Sequence, residues 1–155
     1  PEAATLARSA PMRACWSVMV RCPQPVPLPV DGCFVEHSPL RWIARDSSKP
    51  GRSGPETWLL HASHAWSEAH VHDDAAAVTA ALLQAFAQLG GPNPASVQAT
   101  AHRWLYADTA LPLNVNSWWQ PEAGLGLGLC GDWCIGHRVE DAFVSGLELA
   151  LAVHG

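Results

Sequence analysis

Apolar and polar positions alternate through much of the first hundred residues, and a period of two predicts strands. Ala14-Cys15-Trp16-Ser17-Val18-Met19-Val20-Arg21 reads as a buried strand. Pro23, Pro25, Pro27 and Pro29 follow. Proline lacks an N–H and fixes its backbone, so this stretch is an extended connector or a sheet edge. Asp31-Gly32 predicts a turn and Cys33-Phe34-Val35 a short strand. Residues 40–45 alternate again, with Leu40, Trp42 and Ala44 expected on one face and Arg41, Ile43 and Arg45 on the other. A Gly/Pro/Ser loop over 47–55 leads to a strand over 57–62. Strands joined by short turns favour an antiparallel sheet.

The period then lengthens to that of a helix. Asp73-Asp74 supplies the acidic start, and Val78, Leu82, Phe86 and Leu89 form one apolar stripe. Gly90-Gly91-Pro92 stops it. A long strand over 97–106 places Ala99, Ala101, Arg103 and Leu105 on one face, and His102 and Trp104 on the other. Residues 107–123 read as a loop and 125–130 as a short apolar strand. A closing helix over 139–153 carries the stripe Val139, Phe143, Leu147 and Ala150, widened by Ala142, Gly146 and Leu149. Gly146 costs roughly 1 kcal/mol against alanine inside a helix. Close approach to another backbone and simple tolerance both account for it.

Composition sharpens this picture. The chain has 155 residues, 48% of them hydrophobic and only 15% charged. So little charge implies that some apolar surface meets a partner or another part of the same polypeptide. A formal charge of -5 without a basic cluster argues against nucleic acid. No apolar run reaches the roughly 18 residues of a membrane span, and nothing resembles a signal peptide. The five cysteines lack paired zinc spacing and read as reduced, mostly buried thiols of a cytoplasmic protein. Eight tryptophans are many for this length, and several are expected to line a cavity or an interface.

Candidate chemistry is sparse. His61, His64, His70 and His72 crowd together across a strand and a loop, but their irregular spacing argues against zinc. Cys130 and Cys134 are not a C-x-x-C pair and read as small buried hydrophobes. Arg41, Arg45 and Arg52 suit either a phosphate or a solvated sheet face, and Trp118-Trp119 suits either a pocket cap or a packing surface. The strongest feature is the corner after the last strand, Gly131-Asp132. A carboxylate there either accepts hydrogen bonds from polyol hydroxyls or serves locally as an Asx-turn or N-cap. The first-turn N–H groups near Arg138, Val139 and Glu140 have no intrahelical acceptor and favour negative charge.

These residues carry a resemblance. Residues 131–146, Gly-Asp-Trp-Cys-Ile-Gly-His-Arg-Val-Glu-Asp-Ala-Phe-Val-Ser-Gly, resemble the C-terminal FAD motif of the flavin amine oxidase superfamily, and within it the bacterial renalase-like oxidoreductases. The pattern there runs close to G-D-W-x-x-G-G-R-V-E-G-A-F-x-S-G. Residues 38–52, 58–63 and 101–104 resemble segments of that family's substrate domain. The resemblance implies residues 1–106 as a partial substrate-binding domain and 107–155 as the C-terminal segment of an FAD-binding domain. The fold class it implies is α+β: a largely antiparallel sheet, then the strand-turn-helix of a Rossmann-like fold.

By the same resemblance Asp132 meets the ribityl chain of FAD and the backbone at Val139 and Glu140 meets its pyrimidine edge, with Gly131 and Arg138 also expected to bind the cofactor. His61 and Trp104 face the substrate, although His61 alone also reads as a core histidine. A helix dipole contributes roughly 0.3–2 kcal/mol. About 1.4 kcal/mol equals roughly 30 mV for a two-electron couple, so this helix end is expected to tune a flavin by tens of millivolts. The implied activity oxidises dihydronicotinamide dinucleotides by hydride transfer to flavin, with oxygen as electron acceptor. An FAD-dependent amine oxidase and a truncated, non-catalytic domain that binds a partner chain are the alternatives. No side chain stands out as a general base. The family has glycine where this chain has His137 and Asp141. Asp141 either repels the charge of a reduced flavin or points to solvent, and because a first helical turn tolerates aspartate well the solvent-facing reading is the expected one. His137 is expected to need a backbone conformation open to non-glycine residues. The N-terminal βαβ unit with its Gly-rich turn is not in this sequence. The missing half is therefore an expected partner, and the isolated chain is expected to lack tight FAD binding and turnover.

Overall fold

The computed structural model describes residues 2–121 and 126–155. The chain is α+β and divides into two compact units, one of residues 14–105 and one joining the residues up to 13 with those from 106 onward. Gly124 and Leu125, at the start of the expected strand over 125–130, lie outside the described residues.

The larger unit is built on a sheet. Its strands are β1 (Met12–Cys22), β2 (Gly32–Phe34), β3 (Leu40–Arg45), β4 (Glu56–Ala62) and β5 (Gln98–Thr109), in the order β2-β3-β4-β1-β5. The β2–β3, β3–β4 and β4–β1 pairings are antiparallel. β1 begins and β5 ends in residues of the smaller unit. Parity along the strands decides which side chains are buried. Trp16, Val18, Val20 and Cys22 of β1 and Trp58, Leu60 and Ala62 of β4 enter the core on one face. Helix α3 (Ala75–Gln88) covers that face with Val78, Leu82 and Phe86, and Trp58 and Phe86 meet ring to ring at 5.3 Å. Asp74 caps α3 by accepting from the amides of Ala76 and Ala77.

Two expectations are corrected in this unit. The register shifts between Leu40 and Trp42 of β3. This irregularity turns Leu40 to the same side as Ile43, and both are buried in the core, while Trp42 is turned to pair with Phe34. Simple alternation had separated Leu40 from Ile43; a bulge breaks the period that alternation assumes. The histidine-rich stretch contains a helix, α2 (His64–Ala69), where a loop is expected, and Ser63 caps it by accepting from the Trp66 amide. Two of those histidines take polar partners, one nearby in sequence and one distant. His70 meets Asp73 at 2.7 Å, and His64 meets Arg41 and the Ala14 carbonyl.

The smaller unit holds α1 (Glu2–Ser9), the antiparallel pair β6 (Trp118–Gln120) and β7 (Leu127–Leu129), α4 (Asp132–Ile135) and α5 (Val139–His154). Trp118 and Trp119 therefore lie in a strand, not in a loop. β7 pairs antiparallel with β6, and a Cβ at Gly128 would lie 2.6 Å from Leu149 of α5, so this glycine is what lets strand and helix close on each other. The helix meets its own unit on a polar edge. Ser145 is buried, accepts from the Gly131 amide at 3.0 Å and donates to the Asn116 carbonyl at 2.6 Å. The expected inward stripe points the other way: Val139 is 90% exposed and Phe143 70%, with Leu147 and Leu151 also exposed. A Cβ at Gly146 would meet open space, so no neighbouring backbone requires that glycine among the described residues.

Candidate functional site

The residues singled out from the sequence fall into two groups, one in each unit.

The first group lies on the sheet face opposite α3. Strand parity puts Ser17, Met19 and Arg21 of β1 there, beside Thr57, Leu59 and His61 of β4, with Ser17 opposite His61 and Arg21 opposite Thr57 in the register. Ala99 and Ala101 of β5 pack toward the core, which leaves Thr100, His102 and Trp104 on the open side. His61 and Trp104 thus share the lining of one hollow of about 400 Å³ with Ser17, Met19, Leu59 and His102. The His102 and Trp104 rings meet edge-on at 4.3 Å, and Trp104 remains 54% exposed. Burial pushes the His61 imidazole below its usual range, and the nearby Arg41 guanidinium pushes it further. It is therefore neutral at pH 7. Ser17 is 1% exposed, and its hydroxyl has no hydrogen-bond partner among the described residues. A buried hydroxyl left unpaired in an apolar wall is costly, so this hollow favours an occupant with a polar atom at that depth.

A second hollow of about 590 Å³ continues along the same face and shares Met19 and Leu59 with the first. Arg21, Arg52, Asp46, Thr57, Gln98 and Thr100 give it polar walls. Of the three arginines considered as phosphate ligands, only Arg52 lines this hollow. Arg45 is committed to Asp31, Glu56 and the face of Trp58, and Arg41 to His64.

The second group is the Gly131-Asp132 corner. Asp132 opens α4, and its Oδ1 accepts from the amide of Trp133 at 3.0 Å, so one oxygen serves a local turn. Its other oxygen takes no hydrogen bond among the described residues. A Cβ on Gly131 would lie 2.3 Å from Nε1 of Trp133, so only glycine lets this indole fold back over the corner. The start of α5 holds an unexpected charge. Asp141 is 8% exposed, and its Oδ2 accepts from the amides of His137 and Arg138, each at 2.9 Å. It does not point to solvent: as the N3 residue of the helix it folds back as a capping carboxylate. The Arg138 amide, followed by desolvation and the His137 amide, governs its acidity, and the balance holds the carboxyl below its usual range. Gly136 makes room for it, since a Cβ there would lie 2.3 Å from the Asp141 carboxylate. His137 has no positive φ, and its Nδ1 meets Asp108 at 2.8 Å. The amides of Val139 and Glu140 find no acceptor among the described residues, and both side chains are exposed.

The cysteines divide. Cys134 is buried, and burial pushes its thiol up, whereas Cys130 is exposed rather than buried as expected. Among the described residues, no three His, Cys, Asp or Glu side chains gather as a metal site, and no helix is long and apolar enough to cross a membrane. No protein-family model matches the chain.

The sequence pointed to His61 and Trp104, and alternation along β5 put His102 on the same face as Trp104. Ser17 and Met19 were not singled out: their place beside His61 and Leu59 depends on the β1–β4 register, which leaves no mark in the sequence.

Proposed function

We propose that this chain is the C-terminal part of an FAD-dependent oxidoreductase similar to the renalase-like enzymes, one that oxidises dihydronicotinamide dinucleotides with oxygen as electron acceptor. The observation that carries the reading is the shared hollow. His61 and Trp104, the two residues that the resemblance turns toward substrate, come from strands separated in sequence by two helices and line one cavity with four further side chains.

The donor chemistry of the Gly131-Asp132 corner supports the reading. Asp132 keeps one carboxylate oxygen for a ribityl hydroxyl, and the Val139 and Glu140 amides are free to donate to an electron-rich edge. Asp141 uses the two preceding amides and leaves these two open. Its negative charge at the same helix end opposes the accumulation of negative charge, so the tuning is weaker than a helix dipole alone would give. FAD would supply the hydride-accepting chemistry. On the protein side, the neutral His61 imidazole adds no cationic charge to the hollow and offers either a donor or an acceptor. Trp104 and His102 offer ring faces that position a planar substrate, and Met19 and Leu59 exclude water. No side chain in the hollow is required to take a proton, which suits hydride transfer better than amine deprotonation.

The test uses the enzyme that contains this chain together with its dinucleotide-binding half. Stopped-flow flavin bleaching is expected with dihydronicotinamide dinucleotides and not with primary or secondary amines. Bleaching by amines alone would replace the reading with an amine oxidase. The 155-residue chain by itself is expected to purify colourless, and a stoichiometric flavin spectrum on it would contradict the need for a second half.

A further inference from the structure

We infer that the second hollow on the open sheet face is a seat for a phosphate group, held by Arg21 and Arg52, and that it extends the His61–Trp104 hollow into one site for an aromatic ligand carrying a phosphate. The ring end of that site rests on the function proposed above; the phosphate end stands on its own charges and geometry.

Among the described residues, Asp46 is the only carboxylate lining the second hollow. Its two oxygens are already shared by two cations, Lys49 at 2.7 Å and Arg52 at 2.5 Å, so this loop retains a surplus positive charge. Arg21 adds another. It lines the same hollow and makes no ion pair among the described residues. Its acidic neighbour across the strands, Glu56, is held elsewhere, accepting from the Trp58 indole and the Val26 amide and pairing with Arg45. Two guanidinium groups and one neutralised carboxylate in the lining make a net cationic pocket, and guanidinium groups match phosphate through paired N–H donors. Thr57, Thr100 and Gln98 add neutral donors on the same wall.

Ser17 pairs with His61 and Arg21 with Thr57, so the two ends of the face are four residues apart along β1. At the rise of a strand this is about 13 Å, the reach of an extended ring, pentose and phosphate. Met19 and Leu59 line both hollows and form an apolar bridge under the middle of such a ligand.

The experiment follows tryptophan fluorescence of the 155-residue chain during titration with three probes: inorganic pyrophosphate, dihydronicotinamide riboside and dihydronicotinamide mononucleotide. The mononucleotide is expected to bind about tenfold more tightly than the riboside at low salt, an advantage that shrinks as salt is added. In the Arg21→Ala/Arg52→Ala chain that advantage is expected to vanish and pyrophosphate binding to be lost, with riboside affinity unchanged. Arg21→Gln alone, which leaves the Asp46–Arg52 pair in place, is expected to remove part of the advantage and guards against a folding defect in the double variant. Equal affinity for riboside and mononucleotide, together with no binding of pyrophosphate, would overturn the phosphate seat and leave the ring site standing. Arginine-dependent binding of pyrophosphate without any binding of riboside or mononucleotide would keep an anion seat for free phosphate but overturn its link to the ring site and the proposed function. No binding of any probe would overturn both.

Discussion

Asp141 shows how much one side chain changes a helix end. Its carboxylate satisfies amides that would otherwise wait for an external anion. Because its folded acidity lies below the ordinary carboxylate range, the stability it contributes is complete above about pH 4 and is lost as pH falls further. Asp141→Ala is expected to lower the melting temperature at pH 7 and to flatten the acid limb of stability against pH, as followed by circular dichroism. His61 has the opposite charge type but the same sign of linkage. Its folded pKa is lowered by burial and by Arg41, so its contribution is full above about pH 6.5 and declines as protonation is forced below that. An NMR titration is expected to place its midpoint under 6.5, and Arg41→Met is expected to raise that midpoint. A His61 midpoint above 6.5 would remove the neutral imidazole from the proposed site.

At the scale of elements, the periodic segments were legible and the irregular ones were not. The α3 stripe was readable because Val78, Leu82 and Phe86 repeat at helical spacing and all face one sheet. Phe86→Ala is expected to cost about 3–5 kcal/mol in chemical denaturation, since it empties the space beside Trp58 at the centre of the core. β5 was also readable, down to which face carries His102 and Trp104. β3 was half legible. Its apolar residues announced a strand, but the irregularity between Leu40 and Trp42 depends on pairing with β4 and leaves no mark in composition. α2 escaped notice because six residues are too few to show a period.

For the whole molecule, the low proportion of charge anticipated an uncovered apolar surface, and α5 is where it appears. Val139, Phe143, Leu147 and Leu151 recur at helical spacing, yet they face away from the unit that Asp141 and Ser145 anchor. An apolar stripe this regular is normally buried. In the proposed enzyme the dinucleotide-binding half is expected to cover it. Phe143→Asp with Leu147→Glu is therefore expected to leave the melting temperature of the isolated chain unchanged and to reduce its binding of a hydrophobic dye. The same pair of changes is expected to abolish assembly with the other half, measured by size exclusion of the co-expressed pieces. A marked loss of stability in the isolated chain would mean that the stripe is internal after all.

Local pattern was enough to identify the antiparallel strands, the α3 stripe, the alternation that turns His102 and Trp104 away from the core, and the Gly-Asp corner ahead of a final helix. Each depends on neighbours within a few residues, where backbone geometry repeats. Tertiary structure alone decided that Ser17 and Met19 stand beside His61, that Arg21 and Arg52 share one hollow, and that Asp141 closes on the amides before α5. It also decided which face of α5 is inward, because the Ser145 hydroxyl, accepting from the Gly131 amide and donating to the Asn116 carbonyl, holds the helix by its polar edge. Those outcomes depend on strand register and on partners distant in sequence, and periodicity carries no record of either.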